Sequence, residues 1–227
     1  MIAITGLVAE ARIAAGPGIS TFAGGGDAVK LEATLEQAVA AGGKAFISFG
    51  IAGGLAPHLK PGARLVARAI ITGSERLPTD PEWSQRLAAL MGGAEIADFV
   101  GVDTPVSHPD KKRALYTATG AVAADMESHI VARVASRHRL PFAAFRVVAD
   151  PVGRALPHAA LVGMKADGSV DLAAVLRSLA KRPNQLPSLL RLATDTRTAF
   201  AALFSGRQML GPAFGFGDLG ELVLDMA

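Results

Sequence analysis

The segment that decides the fold is "FISFGIAGGLAPHLKPGARLVA", residues 46–67. A short apolar run, typical of a buried strand, leads into a glycine-rich turn, and a second apolar run follows "KPG". A chain that leaves a strand through Gly50, Gly53 and Gly54 either turns tightly there or must let another group approach its backbone closely. Free N–H groups in such a turn can bind an anion or a carbonyl. This segment alone leaves both interpretations open.

Similar apolar runs recur along the first 150 residues, with helical patterns between them. The strand candidates are "IAITGL" (2–7), "AFISFG" (45–50), "RLVARAII" (64–71), "ADFVGV" (97–102) and "FAAFRVVA" (142–149). The helix candidates are residues 28–42 and 126–140, with stops at Gly42 and Pro141.

This alternation predicts an α/β protein. We expect a three-layer α/β/α sandwich with a central mixed, largely parallel sheet and a helical C-terminal tail. The economical division is one domain over residues 1–205 and a tail over 206–227.

The composition excludes several classes of protein. The chain has 227 residues, of which half are hydrophobic and 19% are charged, as in globular proteins. The absence of cysteine excludes disulfides, thiolate metal sites and cysteine nucleophiles. A net charge of +3 is too small to indicate a nucleic-acid partner. No apolar run reaches the ~20 residues of a membrane span, and the start lacks a basic signal-peptide region, so we expect a cytoplasmic protein.

The basic residues are concentrated near the C-terminus. Six lysines and arginines lie between Arg177 and Arg207, against the single acid Asp195. Because leucine and phenylalanine are interleaved with them, this segment could lie peripherally on the anionic inner face of a membrane. On charge alone, a helix pair with a solvated basic face is the favoured explanation of the pattern.

Two further segments carry candidate functional carboxylates. In "AADMESHIVARVA" (123–135), Asp125 or Ser128 can serve a helix N-terminus, and Glu127 in its apolar setting can accept two hydrogen bonds from a ribose diol. In "FRVVADP" (145–151), Asp150 ends an apolar strand. It either caps the next helix or holds a proton for a leaving group through a raised pKa.

Together these motifs resemble a known superfamily. "FGIAGGLAPHLKPG", "ADMESHIVARVASRHRLPF" and "FRVVADP" are similar, in this order, to the purine nucleoside phosphorylase and methylthioadenosine/S-adenosylhomocysteine nucleosidase superfamily, over roughly residues 1–150. With "ITGLVAEARIA" and "LRSLAKRPNQLPSLLRLA", the chain most resembles the hopanoid-associated phosphorylase family. That family is linked to removal of adenine from adenosylhopane during the synthesis of bacteriohopanepolyols.

The resemblance implies the role of each site residue. It places the turn beside the sugar and base, Met126 against the ribose, Glu127 on the diol and Asp150 on the departing purine. The substrate-binding set is Ser48, Gly50, Ala52, Gly53, Gly54, Asp125, Met126 and Glu127. It further implies a small nucleoside substrate, free or lipid-linked, a homo-oligomer, no metal and no cofactor other than phosphate as a co-substrate.

The acceptor of the sugar stays open. Hydrolytic relatives carry a glutamate shortly after the first strand, and Glu10 falls one residue short of that position. Phosphorolytic relatives bind phosphate through arginines, and Arg12 could have this role here. Gly25, in the Gly24–Gly26 turn before a helix, is a second candidate anion-binding site. The purine-stacking aromatic is replaced by Pro105 and Val106, which predicts an open mouth suited to a lipid-linked nucleoside.

Two other functions compete with this one. The same chemistry could act on a soluble adenine nucleoside such as methylthioadenosine. Alternatively, the chain could be a purine-binding scaffold without turnover, which the joint presence of Glu127 and Asp150 disfavours.

Overall fold

A computed structural model describes residues 1–163, 165 and 167–217. The strands are β1 (Ile2–Thr5), β2 (Ser20–Ala23), β3 (Phe46–Gly54), β4 (Arg64–Thr72), β5 (Glu75–Pro78), β6 (Glu95–Gly101), β7 (Ala123–Asp125) and β8 (Phe142–Asp150). The helices are α1 (Val8–Ala14), α2 (Ala28–Ala40), α3 (Pro81–Leu90), α4 (Pro109–Thr119), α5 (Ser128–His138), α6 (His158–Val162), α7 (Leu172–Lys181) and α8 (Leu186–Met209), with a 3₁₀ helix at Pro183–Gln185.

Local sequence explains where several helices begin and end. The side chains of Asp27 and Asp80 accept hydrogen bonds from N–H groups in the first turns of α2 and α3, and Pro81 opens α3. Gly120 ends α4 in the left-handed conformation, which glycine adopts without steric cost.

All eight strands form one mixed sheet. Its order is β2-β1-β3-β7-β6-β4-β5, and β8 pairs with both β3 and β4. β8 is parallel to β3 and antiparallel to β4, whereas β7 is antiparallel to β3 and parallel to β6. The pairings β3-β8-β4-β6-β7-β3 therefore close a ring, and the ends of these strands meet around one space.

Two apolar clusters lie on the two faces of the sheet. Successive residues of β8 alternate between them, so that Ala144 faces α2 and α5 while Phe145 faces α1, α3 and α8. Every residue of β8 is buried, as expected of a strand that helices cover on both faces. The three-layer sandwich and the mixed, largely parallel sheet predicted from the sequence are confirmed.

The sequence analysis missed three short strands. β2, β5 and β7 have three or four residues each, too few for a period-2 pattern to be recognised. They form by pairing with neighbouring strands, β2 with β1, β5 with β4, and β7 with β3 and β6. The five predicted strands are present, and β3 continues four residues beyond the predicted end, through the glycine-rich segment to Gly54.

The C-terminal part is helical and packs onto the sheet. α8 runs continuously past residue 205, and the buried side chains of Leu203 and Phe214 belong to the same apolar cluster as Phe145. Residues 218–227 of the predicted tail lie outside the described residues. None of the helices in the described residues is both long and apolar enough to cross a lipid bilayer.

Removing the Leu203 side chain tests the attachment of α8. Leu203 is fully buried and its neighbour Phe204 is 54% exposed. We expect Leu203→Ala to lower the free energy of unfolding by about 2–5 kcal/mol and Phe204→Ala to change it by less than about 0.5 kcal/mol. Urea titration followed by circular dichroism measures both. Equal effects would mean that α8 does not pack on the sheet.

Candidate active site

A cavity of about 710 Å³ lies at the carboxyl ends of β1, β3, β6, β7 and β8. Its wall includes Gly6 after β1, Gly53 in β3, Val102 after β6 and Asp150 at the end of β8. Ligands of open α/β sheets bind at this edge. The volume falls within the range of about 300–1,000 Å³ typical of small-molecule sites.

The Glu10 carboxylate lines the cavity, and backbone N–H groups fix its position. Oε2 accepts hydrogen bonds from the N–H groups of Gly6 and Leu7 at 2.8 and 2.7 Å, and Oε1 accepts from Ile51 N–H at 2.7 Å. Glu10 is 1% exposed. A carboxylate offers about four lone-pair sites, so Oε1 keeps one that a substrate or a water molecule can use.

The glycines of β3 leave room for two carboxyl groups. A Cβ atom at position 50 would lie 2.6 Å from Glu10 Oε1, and one at position 53 would lie 3.2 Å from Asp150 Oδ1. Contacts under 3.0 Å require something to move. Gly50 is therefore needed for the approach of Glu10, and Gly53 sits against Asp150. Gly50 and Gly53 are three residues apart, which is about 10 Å along β3.

Arg146 lies in the middle of β8, paired with Gly50 of β3, and its side chain is fully buried. Its Nη2 donates to Ser48 Oγ at 2.8 Å and to Asp125 Oδ1 at 3.1 Å, and it approaches Glu127 Oε2 at 3.4 Å. Ser128 Oγ accepts from the same Nη2 at 3.2 Å. This one guanidinium thus joins β3, β7 and the start of α5 behind the cavity wall.

The charges around Arg146 do not balance. One guanidinium faces the carboxyl groups of Asp125, Glu127 and Glu10. Burial, together with the charges of Asp125 and Glu10, raises the pKa of Glu127 to about 8 against the pull of Arg146. Burial likewise raises the pKa of Glu10, whereas Arg146 and Ser128 hold the pKa of Asp125 below its usual value. The cluster therefore keeps Asp125 ionised and favours a proton on Glu127.

Glu127 reaches the cavity through space left by two other glycines. A Cβ atom at Gly6 would lie 2.9 Å from Glu127 Oε1, and one at Gly24 would lie 3.1 Å from its Cγ. Met126 stands beside it, with Cε 3.1 Å from the position of a Cβ at Gly26. Glu127 can therefore present its carboxyl group to a sugar that contacts Met126.

Asp150 is paired with a buried lysine from α4. Lys112 Nζ donates to the Asp150 carboxylate and to the carbonyl oxygens of Asp150, Pro151 and Arg154 at 3.0, 3.2 and 3.2 Å. Burial raises the pKa of Asp150, although the charge of Lys112 lowers it. The lysine orients one carboxylate oxygen and leaves a carboxyl group that can still carry a proton.

The structure brings most of the predicted site residues together. Eight of them line the cavity, namely Glu10, Gly25, Ala52, Gly53, Asp125, Met126, Glu127 and Asp150. Four do not: Ser48 supports Arg146, Gly50 makes room for Glu10, Gly54 packs against Val148, and Arg12 is exposed outside the cavity.

Sequence reasoning missed Arg146 and Lys112. Arg146 had a usable signal, because an arginine in the centre of an otherwise apolar strand needs buried acids to balance its charge. Lys112 had none, since "PDKKR" is also the pattern of a solvated first turn.

The C-terminal part of the chain contributes a largely apolar wall to the cavity, which we call the apolar arm, although Lys165 and Arg197 also line it. Beyond Pro105 and Val106, where an aromatic residue was expected, its wall continues along α6, α7 and α8. The apolar side chains of this arm are Leu156, Leu161, Val170, Leu172, Val175, Leu189, Leu192 and Phe200. The cavity therefore joins a polar end that holds four carboxyl groups to an apolar arm built by the C-terminal helices.

Comparison with protein families identifies the fold. The family model described as the phosphorylase superfamily matches residues 21–181, more than half of the chain. The chain belongs to the phosphorylase superfamily. This membership confirms the superfamily and the enzyme class predicted from the sequence. A search of curated proteins found no match.

Solved structures share the fold at low sequence identity. Futalosine hydrolase of Helicobacter pylori superposes with a TM-score of 0.59 and 18% identity, covering 79% of this chain and 97% of that one. The methylthioadenosine/S-adenosylhomocysteine nucleosidase of S. pneumoniae, bound to a transition-state inhibitor, gives 0.62 and 12%, covering 92% and 98%. The S-adenosylhomocysteine nucleosidase of Streptococcus pyogenes gives 0.63 and 14%, covering 93% and 96%.

The pKa of Glu127 predicts how stability depends on pH. Between its usual pKa of 4.5 and about 8, the folded protein holds a proton on Glu127 that the unfolded chain has lost. Stability therefore falls as pH rises through this window, by at most about 1.4 kcal/mol per pH unit for one proton. Glu127→Gln cannot ionise, so we expect a shallower slope in urea titrations between about pH 5 and about pH 8. Glu82→Gln, at an exposed position in α3, is the control. An unchanged slope for Glu127→Gln would contradict the assignment.

Proposed function

We propose that this protein hydrolyses the N-glycosidic bond of an adenine nucleoside with a large apolar group on the 5′ side of its ribose, and that adenosylhopane is its substrate. The observation that carries the proposal is the cavity itself, which joins acidic groups at one end to an apolar arm at the other. The family membership and the sequence resemblance support the same chemistry.

Asp150 is suited to the departing base. Cleavage of a glycosidic bond through an oxocarbenium-like sugar is faster when the base leaves as a neutral molecule. A carboxyl group with a raised pKa can donate a proton to purine N7 and accept a hydrogen bond from the exocyclic amino group of adenine. Lys112 holds the Asp150 carboxylate in place for this transfer.

Glu10 is suited to activating water on the other side of the sugar. Its raised pKa brings it closer to the working pH of a general base, and three backbone N–H groups fix its position. Glu10 and Asp150 meet β3 at points about 10 Å apart. A nucleoside between them would have its leaving base at Asp150 and its attacking water at Glu10.

The charges of the site favour water over phosphate. The sugar end holds Glu10, Glu127 and Asp125, and the nearest guanidinium, Arg146, is buried behind them and bonded to Asp125. A phosphate dianion there would meet the Glu10 carboxylate, and Arg146 is already bonded to Asp125, which leaves the exposed Lys165 of the cavity wall as the cation that a phosphate would have to recruit. Arg12, the candidate phosphate ligand, is exposed outside the cavity.

The apolar arm favours a lipid-linked nucleoside over a soluble one. A ribose on Glu127 and a base on Asp150 leave the wall along α6, α7 and α8 for the 5′ substituent. That wall is lined by leucine, valine and phenylalanine side chains, and burying apolar surface there contributes about 0.8 kcal/mol per methylene group.

Adenine release from adenosylhopane dispersed in detergent, with and without phosphate, tests the reaction. We expect release without phosphate and a free reducing sugar as the second product. Asp150→Asn and Glu10→Gln should each lower kcat by about 100-fold or more, whereas Glu82→Gln should leave it unchanged.

Other outcomes identify the competing functions. A strict need for phosphate and a sugar 1-phosphate product would make the protein a phosphorylase. Adenine binding without release from any adenine nucleoside would favour the scaffold function.

A series of 5′-alkylthio-5′-deoxyadenosines tests the apolar arm. We expect kcat/KM to rise by about threefold to fourfold for each added methylene group until the arm is filled. Leu192→Ala, in the wall of the arm, should flatten this rise, and Phe204→Ala, on the outer surface of α8, should not. A maximum at the methyl compound would favour a soluble substrate such as methylthioadenosine.

A further inference from the structure

The outer surface of the C-terminal helices carries exposed apolar side chains. Leu172 and Leu176 lie one helical turn apart on α7 and are 70% and 65% exposed, and Leu186 and Leu190 are similarly spaced on α8 and are 47% and 60% exposed. We call these four residues the outer leucine face. Four large apolar side chains on two consecutive helices mark an interaction surface.

The charge along this face is mainly positive, and Asp171, the N-cap of α7, is the acid that adjoins it in the sequence. Residues 172–191 contain four basic residues and no acidic one, namely Arg177, Lys181, Arg182 and Arg191, and all four are exposed. Basic residues around exposed leucines are the pattern of helices that lie in the interface of an anionic bilayer.

The outer leucine face is continuous with the mouth of the cavity. Leu172 belongs to the face, and both it and the adjacent Val170, which is 57% exposed, also line the cavity. Lys165 and Arg197 are exposed and line the same opening. A surface that covers the face would therefore also cover the mouth.

We propose that the outer leucine face docks on an anionic lipid bilayer, with the mouth of the cavity turned toward the membrane. The leucines enter the acyl boundary and the four basic residues lie among the headgroups. In the context of the proposed function, a lipid-linked nucleoside passes from the bilayer into the apolar arm without crossing water. The docking itself requires no nucleoside.

Sedimentation with lipid vesicles tests the docking. We expect the full chain to bind vesicles of phosphatidylcholine with phosphatidylglycerol, to bind far more weakly to phosphatidylcholine alone, and to be released by salt. Arg177→Ala with Lys181→Ala should weaken binding by roughly 30-fold, about fivefold for each cation. Leu176→Glu with Leu190→Glu should weaken it by at least about 100-fold.

Matched controls lie at the opposite end of the sheet. Ile96→Glu places a new charge on an exposed apolar residue at the start of β6, and Lys44→Glu reverses a charge just before β3. Neither should change vesicle binding by more than about twofold on the same scale. Absence of binding to anionic vesicles, or equal losses in the controls, would overturn the proposal. So would a dimer that Leu176→Glu with Leu190→Glu dissociates, because the face would then join two copies of the chain.

The docking and the proposed reaction can fail separately. Leu176 and Leu190 lie outside the cavity wall, so their glutamate variants should keep the parent rate on a soluble short-chain adenine nucleoside and lose activity on adenosylhopane held in vesicles. Vesicle binding without adenine release from any substrate would contradict the proposed reaction and support the docking. Equal activity of the parent and of the Leu176→Glu, Leu190→Glu variant on vesicle-held adenosylhopane would contradict the docking and support the reaction.

Discussion

The buried guanidinium of Arg146 organises the polar end of the cavity. A charge with no exposure to water requires partners, and Arg146 finds them in Asp125, Glu127, Ser48 and Ser128. These partners belong to β3, β7 and the start of α5, so that the contacts of one nitrogen, Nη2, bring three elements together. Gly50, beside Arg146 in the sheet, leaves the space that the Glu10 carboxylate occupies. The glycine-rich segment therefore serves a close approach by side chains of the same chain.

Electrostatics divides the carboxyl groups into two kinds. Asp125 is ionised and structural, since Arg146 and Ser128 lower its pKa. Burial raises the pKa values of Glu10, Glu127 and Asp150, which lie at the surface of the cavity. These three groups are therefore weaker acids than Asp125, and a buried carboxyl group with a raised pKa can carry a proton into a reaction.

The C-terminal helices have two separate roles. Their inner side chains, such as Val175 and Leu192, form the apolar arm of the cavity, while Leu176, Leu186 and Leu190 are exposed and lie outside its wall. Farther along, Leu203 anchors α8 on the sheet. One segment thus shapes both the space for the substrate and the surface around its entrance. Two features that lie far apart in the sequence therefore meet at one cavity: the basic, apolar segment 177–207, and Pro105 and Val106, which stand where an aromatic residue was expected.

The sequence alone determined the α/β fold, because long apolar strands and amphipathic helices have distinct periods. It also pointed to Asp150 through its place at the end of a strand, to Glu127 through its apolar setting and the family resemblance, and to Glu10 through that resemblance. Short strands such as β7 escaped it, since they form only by pairing with longer neighbours. The roles of Lys112 and of Gly50 were decided by tertiary structure alone. Lys112 meets Asp150 across 38 residues and Gly50 meets Glu10 across 40. Local sequence carries no record of such contacts, because they depend on how the elements pack.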